Sequence, residues 1–152
     1  LIKMKNLNLL LNVITRCAKL KSEIISKDEM ELGLRKILNF GHTVGHALET
    51  YFGFDIIRHG EAISYGMLVS GKLSLSYSNF SNADYLFLKK IIYKLPLPDL
   101  PDFEISEIIK IMKNDKKMKS GKLDFILLEA IGTAVIKDNV SFKSINLAME
   151  GI

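Results

Sequence analysis

All three histidines of this 152-residue chain lie within eighteen positions, at His42, His46 and His59. The neutral imidazole ring is the commonest metal ligand in proteins, and histidine is the side chain whose ordinary pKa lies nearest neutrality. His42 and His46 are four residues apart, so a helix would present both from one face. The run Phe-Gly-Phe at 52–54 predicts a break before His59. The chain must therefore fold so that two consecutive helices meet at one place.

The composition of this stretch indicates a site rather than chance clustering of surface or packed histidines. Zinc in catalytic sites takes three protein ligands and keeps one position open, so spacing alone allows all three histidines to bind a metal. Glu49 follows His46 by three residues on the same helical stripe. Gly41 and Gly45 each cost a helix about 1 kcal/mol relative to alanine. We expect such glycines where a backbone or a ligand comes close.

The remaining pattern predicts a mostly α-helical domain with one small β-hairpin. Apolar residues at three- and four-residue steps predict a first helix that ends at about Ser26. Ser26 or Asp28 is expected to cap the next, short helix, which runs towards Asn39. Further helices are predicted at 39–52, at 60–77, through 85–92, at 103–112 and from 141 onwards, with strands at 124–129 and 133–136.

Two smaller features belong to the predicted helix at 60–77. Gly66 and Ser70 form a small-residue notch where another helix could pack closely. Glu61 lies in its first turn, where we expect the carboxylate to stabilise the positive end of the helix dipole.

Composition limits the functions that the chain can have. The net charge of +4 suits an anionic small substrate, although most lysines are expected to be solvated surface residues. A single cysteine, Cys17, excludes an internal disulfide and indicates a cytoplasmic protein. No apolar run reaches the ~18–20 residues of a membrane span. We expect neither a membrane nor a nucleic acid as partner.

The chain starts at Leu1, without methionine, inside a predicted helix. We expect it to be part of a longer protein. It contains no Gly-x-Gly-x-x-Gly after a strand and no alternation of strands and helices, so no dinucleotide-binding fold is predicted within it.

The histidine stretch also carries a recognisable motif. It reads Leu-Arg35-x-x-Leu-Asn39-Phe-Gly-His42-Thr-x-Gly-His46-Ala-x-Glu49, followed by His59-Gly-Glu-Ala-x-x-x-Gly66-Met67. This motif resembles the signature of the 3-dehydroquinate synthase family of sugar-phosphate cyclases. The resemblance extends from about residue 15 to about residue 137 and includes Lys21-Ser-Glu-Ile-Ile, Asp28-Glu-x-Glu31-x-Gly-Leu-Arg35 and Asn114-Asp-Lys116-Lys117.

The resemblance implies a specific enzyme and a missing domain. Members convert 3-deoxy-D-arabino-heptulosonate 7-phosphate to 3-dehydroquinate and phosphate in the shikimate pathway. They bind NAD in an N-terminal α/β domain, which also carries an acidic metal ligand and a catalytic lysine. Residues 1–152 would be the C-terminal, metal- and substrate-binding domain of such an enzyme, which we expect to be a homodimer.

The resemblance also implies roles for individual residues, and it differs from spacing at His46. It assigns Zn²⁺ or Co²⁺ to His42 and His59, and leaves His46 as an acid/base group near the substrate phosphate. The other implied roles are substrate carboxylate binding by Lys21 and Arg35, hydroxyl or phosphate binding by Asn39, and phosphate binding by Lys116 or Lys117. We interpret Glu31 and Glu49 as groups that orient Arg35 and the histidines, with a plain surface role as the alternative.

Three alternatives stay open at this point. A 2-deoxy-scyllo-inosose or valiolone synthase would keep the metal histidines but change the residues that face the substrate. A metal-dependent polyol dehydrogenase would have no use for Arg35 and the paired lysines. A helical interaction module without enzymatic activity would carry its histidines incidentally.

Overall fold

A computed structural model of the chain describes residues 7–114 and 123–152. These residues form six α-helices, one 3-10 helix and a two-stranded antiparallel sheet, which confirms the predicted fold class. The chain divides into two compact units, Leu1–Leu38 and Asn39–Ile152. None of the helices in the described ranges combines the length and apolar character needed to cross a lipid bilayer.

The first unit includes a long helix, α1 (Leu7–Lys27), and the segment that follows it at residues 28–35, which we call the polar turn. α1 ends one residue beyond the predicted end at Ser26. Asp28 provides the predicted cap of the next element, a 3-10 helix at Leu34–Asn39. Its carboxylate accepts three backbone N–H groups at 2.8–2.9 Å, from Leu32, Gly33 and Arg35.

The second unit contains all the remaining predicted elements. In chain order they are α2 (His42–Phe52), α3 (His59–Tyr77), α4 (Asn82–Ile92), α5 (Ile105–Asn114), β1 (Phe125–Ala130), β2 (Thr133–Lys137) and α6 (Phe142–Met149). The predicted helix at 39–52 is shorter than expected, because Asn39 belongs to the 3-10 helix and Gly41 adopts a left-handed conformation, with φ of 82°. Since α2 begins directly after this turn, His42 is its first residue.

α3 is the central helix of the second unit. It packs against α2, α4, α6 and β1, and most of its residues from Ala62 to Ser74 are buried. A helix buried on most sides needs few charges, and α3 has only Lys72 beyond its first turn. The fully buried core side chains of α3 and of the elements around it include Val44, Leu48, Leu68, Val69, Ile108, Phe125, Leu127 and Ile145.

Serines of α3 join the helix to the outer edge of the hairpin. The backbone N–H of Leu128 in β1 donates to Oγ of Ser74 at 2.9 Å, and Ser74 donates to the carbonyl of Ser70 at 2.7 Å. The hydroxyl of Ser78 donates to the carbonyl of Leu128. Ser74 and Ser78 thus bond to the backbone N–H and C=O groups of Leu128.

The predicted notch on α3 is the contact between α3 and the start of α2. A Cβ atom on Gly66 would lie 2.0 Å from the carbonyl oxygen of Gly41 and 2.9 Å from the amide nitrogen of Gly45. A Cβ atom on Gly41 would lie 2.7 Å from the amide nitrogen of Met67. Backbone therefore touches backbone here, and only glycine allows this separation between the two helices.

The contact predicts that Gly66→Ala destabilises the second unit. The added methyl group must push α2 away from α3, and overpacking of this kind costs about 1–3 kcal/mol or more in the free energy of unfolding. Gly60→Ala is the matched control: it lies in the first turn of the same helix, and its Cβ would meet nothing within 4 Å. That change should be neutral or gain up to about 1 kcal/mol. Urea unfolding measures both, and equal midpoints for Gly66→Ala and the parent would contradict the prediction.

Candidate metal and substrate site

The three histidine rings come together where α2 meets α3. The ring centroids of His42 and His46 are 5.2 Å apart, and that of His59 lies 5.6 Å from His42 and 5.8 Å from His46. One helical turn separates the first two, and His59 reaches them from the first residue of α3. The close glycine contact between the helices makes this convergence possible. Spacing had predicted this cluster from two consecutive helices.

The turn before α3 fixes the position of His59. The backbone N–H of Arg58 donates to a carboxylate oxygen of Glu61 at 2.8 Å, which closes the first turn of the helix. Glu61 is thus the residue at the positive end of the helix dipole, in agreement with its predicted role.

Two of the three histidines have a hydrogen bond at Nδ1. Nδ1 of His59 lies 3.0 Å from Oε1 of Glu49, and Nδ1 of His42 lies 3.3 Å from the carbonyl oxygen of Phe40. The Phe40 carbonyl and the Glu49 carboxylate are acceptors, so each Nδ1 donates, and in the neutral ring this tautomer leaves Nε2 with a lone pair for a metal. This is the usual arrangement of metal-ligating histidines, whose second nitrogen is held by a carboxylate or a carbonyl.

His46 differs from its two neighbours. Within the part of the chain that the structure describes, neither ring nitrogen of His46 has a hydrogen-bond partner. Its ring borders a cavity of about 470 Å³ between α2 and the end of α5. The other lining residues are Thr43, Ala47, Thr50, Ile111, Met112 and Asn114. Among the described residues that line this cavity, His46 is the titratable one.

Glu49 gives the cluster a carboxylate of its own. Its side chain is only 8% exposed, and donor atoms of His46, Glu49 and His59 all lie within 4.8 Å of one another. Two imidazoles and one carboxylate are a common ligand set for zinc. The geometry therefore allows Glu49 to ligate a metal directly, as well as to orient His59.

Arg35 lies in the polar turn of the first unit. Its Nη1 donates to the carbonyl oxygen of Glu29 at 2.7 Å, and its Nε lies 4.0 Å from a carboxylate oxygen of Glu31. Glu31 thus lies beside Arg35, and its role in orienting the guanidinium group stays a prediction. Among the described residues, Glu29 and Glu31 provide the contacts of the guanidinium group, which has five N–H donors in all.

The other predicted site residues have less defined surroundings. Lys21 is exposed on α1, and Asn39 is half-buried at the start of the second unit. Lys116 and Lys117 lie outside the described residues, so their predicted role in phosphate binding stays a prediction.

Sequence reasoning missed two features of the polar turn. Glu31 has a φ of 56°, in the left-handed region that residues other than glycine rarely adopt. Asp28 accepts three N–H groups, although the sequence signalled only a single cap. The pKa of Asp28 is lowered, chiefly by the hydrogen bond from the backbone of Arg35 and then by those from Gly33 and Leu32. A carboxylate followed by Leu-Gly-x-Arg could have suggested such a turn.

The lowered pKa predicts how the polar turn responds to acid. Since the folded pKa of Asp28 lies below its ordinary value of 3.8, the carboxylate contributes stability above that value. This contribution is lost as the pH falls through the folded pKa. A carbon-detected NMR titration of the Asp28 carboxyl group should give a midpoint below 3.8, and the amide protons of Gly33 and Arg35 should shift with the same midpoint. In Asp28→Asn that amide titration should vanish; its persistence would assign the effect to another group.

Comparison with known proteins identifies a matching family and several similar proteins. Residues 2–118 match the family described as 3-dehydroquinate synthase C-terminal. The chain is similar to a 3-dehydroquinate synthase of Rippkaea orientalis, with 40% identity over 146 residues, and to one of Crocosphaera subtropica, with 38% identity over 149 residues. These alignments cover 95% and 97% of this chain but only 40% and 41% of the relatives. The chain thus spans about 40% of the length of these curated relatives.

Solved structures with the same fold are related cyclases. A 2-deoxy-scyllo-inosose synthase complexed with carbaglucose-6-phosphate, NAD⁺ and Co²⁺ superposes with a TM-score of 0.84 and 26% identity, over 95% of this chain and 42% of that one. A 2-epi-5-epi-valiolone synthase from Streptomyces hygroscopicus subsp. jinggangensis, with NAD⁺ and Zn²⁺ bound, gives a TM-score of 0.74 over 92% of this chain and 39% of that one. Its identity of 23% shows the fold alone.

Proposed function

We propose that this chain, which belongs to the 3-dehydroquinate synthase C-terminal family, is the metal- and substrate-binding half of a 3-dehydroquinate synthase. The complete enzyme would convert 3-deoxy-D-arabino-heptulosonate 7-phosphate to 3-dehydroquinate and phosphate in the cytoplasm. The observation that carries the proposal is the convergence of three imidazoles and one buried carboxylate at the contact between α2 and α3. An N-terminal domain would supply most of the NAD site, and the full-length enzyme would be a homodimer.

In this proposal His42 and His59 hold the metal through Nε2. Their Nδ1 hydrogen bonds to Phe40 and Glu49 support this choice over His46. A carboxylate from the N-terminal domain would complete the ligand set, with Glu49 orienting His59. Nitrogen and oxygen ligands with an open position suit Zn²⁺ and also Co²⁺, which the 2-deoxy-scyllo-inosose synthase structure contains.

His46 would be the acid/base residue. Its position beside the cavity, together with its unengaged ring nitrogens, supports a role in moving a proton to or from a ligand there. The family resemblance puts the phosphate-bearing end of the substrate next to this residue. Lys116 or Lys117, a few residues after the cavity residue Asn114, would then bind the phosphate.

Lys21, Arg35 and Asn39 would bind and orient the rest of the substrate. The planar guanidinium of Arg35 matches a carboxylate, and Glu29 and Glu31 hold it from one side. Lys21 would meet the same carboxylate, and Asn39 would bond to a hydroxyl or phosphate oxygen. When bound, the metal supplies a Lewis acid for a ring oxygen and NAD supplies a reversible hydride acceptor.

One alternative function is also supported by an observation, namely the reaction of another sugar-phosphate cyclase. The fold superposes closely on 2-deoxy-scyllo-inosose synthase, at 26% identity. The curated 3-dehydroquinate synthases are more similar in sequence, at up to 40% identity, and this favours dehydroquinate formation. An assay of a complete enzyme against both substrates distinguishes the two reactions. For this purpose the N-terminal portion of the Rippkaea orientalis relative can be joined ahead of residues 1–152; we call this protein the fusion.

The assigned roles predict that substitution of the three histidines in the fusion affects metal content and turnover differently. His42→Ala and His59→Ala should each lose the bound metal, because each removes a ligand. His46→Ala should keep the metal while turnover falls by roughly 10²–10⁴-fold, the usual contribution of a general acid or base. The measurements are metal content by elemental analysis and initial rates, and the three variants control for one another. Loss of the metal in His46→Ala would mean that His46 is a ligand instead.

We expect different activity and metal binding for the 152-residue chain without the N-terminal portion. Its core is large enough for it to fold alone. It should form no dehydroquinate when NAD, metal and substrate are supplied, and it should bind Zn²⁺ or Co²⁺ weakly, because its ligand set is incomplete. Calorimetric titration with each metal tests the second point. Tight, stoichiometric binding that disappears in Glu49→Gln would make Glu49 a ligand, and turnover by the chain alone would refute the proposed division of the site.

A further inference from the structure

A second cavity lies within the second unit and shares no lining residue with the cavity beside His46. It has a volume of about 470 Å³ and is bordered by α3, by the start of α5, by the end of α6 and by residues 99–103. Sites for small molecules usually have volumes of about 300–1,000 Å³. The cavity is therefore large enough for a small ligand of its own.

The wall formed by residues 99–103 is held in place on two sides. It belongs to a segment that contains all three prolines of the chain, and each proline fixes its own φ and keeps the preceding residue extended. The hydroxyl group of Tyr65 in α3 donates to the carbonyl oxygen of Pro98. The backbone N–H of Glu104 donates to the hydroxyl oxygen of Tyr51 in α2, at 3.4 Å. The cavity is thus preformed, and a ligand need not order this wall in order to bind.

The charge of the lining selects the sign of the ligand. The lining includes Asp99, Asp102 and Glu150, and none of the described residues that line it is basic. We call it the acidic cavity. In residues 7–114 and 123–152, none of these carboxylates forms an ion pair. The start of α5 and the end of α6 border the cavity with dipole charges of opposite sign, which offset each other. The carboxylates therefore decide the sign, and they favour a cation.

Two lysines lie near the acidic cavity without lining it. Nζ of Lys72 donates to the carbonyl oxygen of Leu147 at 3.0 Å. Nζ of Lys89 lies 5.7 Å from the centroid of the Tyr93 ring, within the distance of about 6 Å at which a ring attracts a cation. The three carboxylates outnumber these two ammonium groups, so negative charge remains for a ligand.

Tyr65 adds a buried hydrogen-bond acceptor to the lining. Only 6% of this residue is exposed, and among the described residues no group donates to its hydroxyl oxygen. Burial raises the pKa of Tyr65 above its ordinary value of 10.0, and the neighbouring Tyr93, Asp99 and Glu61 raise it further. The hydroxyl group therefore stays protonated at neutral pH. Because its proton is used in the bond to Pro98, its oxygen offers a lone pair to an N–H donor of a ligand.

The lining suits an organic cation better than a metal ion. Among the described residues, the group whose donor atoms converge closely enough to hold a metal is His46, Glu49 and His59, and the carboxylates of the acidic cavity form no such group. Aromatic rings and apolar side chains such as Leu100 and Met149 line the cavity together with the carboxylates. Such a surface buries a hydrocarbon body, which a metal ion lacks.

We propose that the acidic cavity binds a small organic monocation, with an ammonium or guanidinium group on an aromatic body. The charged group would lie among the carboxylates and donate to the hydroxyl oxygen of Tyr65. The aromatic body would pack against the rings of Tyr93 and Phe103, which also line the cavity. The proposal does not depend on the cyclase activity, because none of the residues assigned to that activity lines the acidic cavity.

Binding of phenethylammonium to the 152-residue chain tests the proposal. In an NMR titration the backbone amides of Phe103 and Met149 should shift together, with a dissociation constant on the order of 1 mM. Phenylpropanoate has the same ring with a carboxylate in place of the ammonium group, so it should bind at least about tenfold more weakly because the cavity repels it. Added NaCl should weaken binding of the cation, since it screens exposed charges.

Removal of the carboxylates should remove the preference for the cation. Asp99→Asn, Asp102→Asn and Glu150→Gln should each weaken binding of phenethylammonium by about 1.5–5-fold, the range expected of an exposed ion pair. The triple variant should weaken it by about tenfold or more if the three effects add. All three side chains are exposed, and thermal melting verifies that the variants are folded.

The matched control changes the net charge by the same amount outside the acidic cavity. Its three substitutions affect carboxylates that do not line the cavity, Asp55→Asn, Glu107→Gln and Glu129→Gln. This variant should bind phenethylammonium within about twofold of the parent, because screening weakens distant charges. Equal weakening in the control and in the cavity variant would overturn the proposal.

Four other results would also overturn it. They are the absence of saturable shifts at millimolar phenethylammonium, equal binding of phenylpropanoate, unchanged affinity in the triple cavity variant, and shifts confined to the surroundings of His46. Shifts of the Phe103 and Met149 amides that appear without a probe as the protein concentration rises would identify a second copy as the occupant. That result would replace the small cation and refute the proposal.

Discussion

A backbone contact between two glycines sets the distance between the helices that carry the histidines. The carbonyl oxygen of Gly41 occupies the place where any other residue at position 66 would have its Cβ atom. Because nothing flexible separates α2 from α3 at this point, hard atomic contact holds the start of α2 against α3 about two turns after His59. His42 and His59 begin these two helices, so their rings are brought within 5.6 Å by the packing of the scaffold. The electrostatic partners of the rings, Phe40 and Glu49, then fix their orientation.

Much of this arrangement could be predicted from the sequence. Periodicity identified every helix and the hairpin, and the spacing of the histidines predicted that His42, His46 and His59 would meet. The hydrogen bonds at Nδ1 could not be predicted, because they depend on side-chain rotamers and on the path of the chain between α2 and α3. The cavity beside His46 also escaped prediction, since it is formed with α5, more than fifty residues later in the chain.

The polar turn of the first unit shows a different limit of sequence reasoning. Asp28 was predicted as a cap, but its three N–H partners arise from a tight loop whose conformation includes Glu31 at positive φ. Such a conformation costs roughly 1–3 kcal/mol in residues other than glycine, and no local propensity signals it. Here hydrogen bonds to carboxylates, rather than buried apolar surface, hold the backbone of Arg35. The geometry of this arginine thus depends on charge, whereas that of the histidines depends on packing.

The serines of α3 have a consequence for how the protein behaves at high concentration. A two-stranded ribbon has two open edges, and an open edge with free N–H and C=O groups is a template for strand addition and aggregation. At Leu128 the outer edge of β1 is already engaged by Ser74 and Ser78. Another chain could pair there only by first breaking the bonds to a buried helix. The contact with α3 therefore protects β1, in which residues Phe125 to Leu128 are all buried, from pairing with a strand of another chain at Leu128.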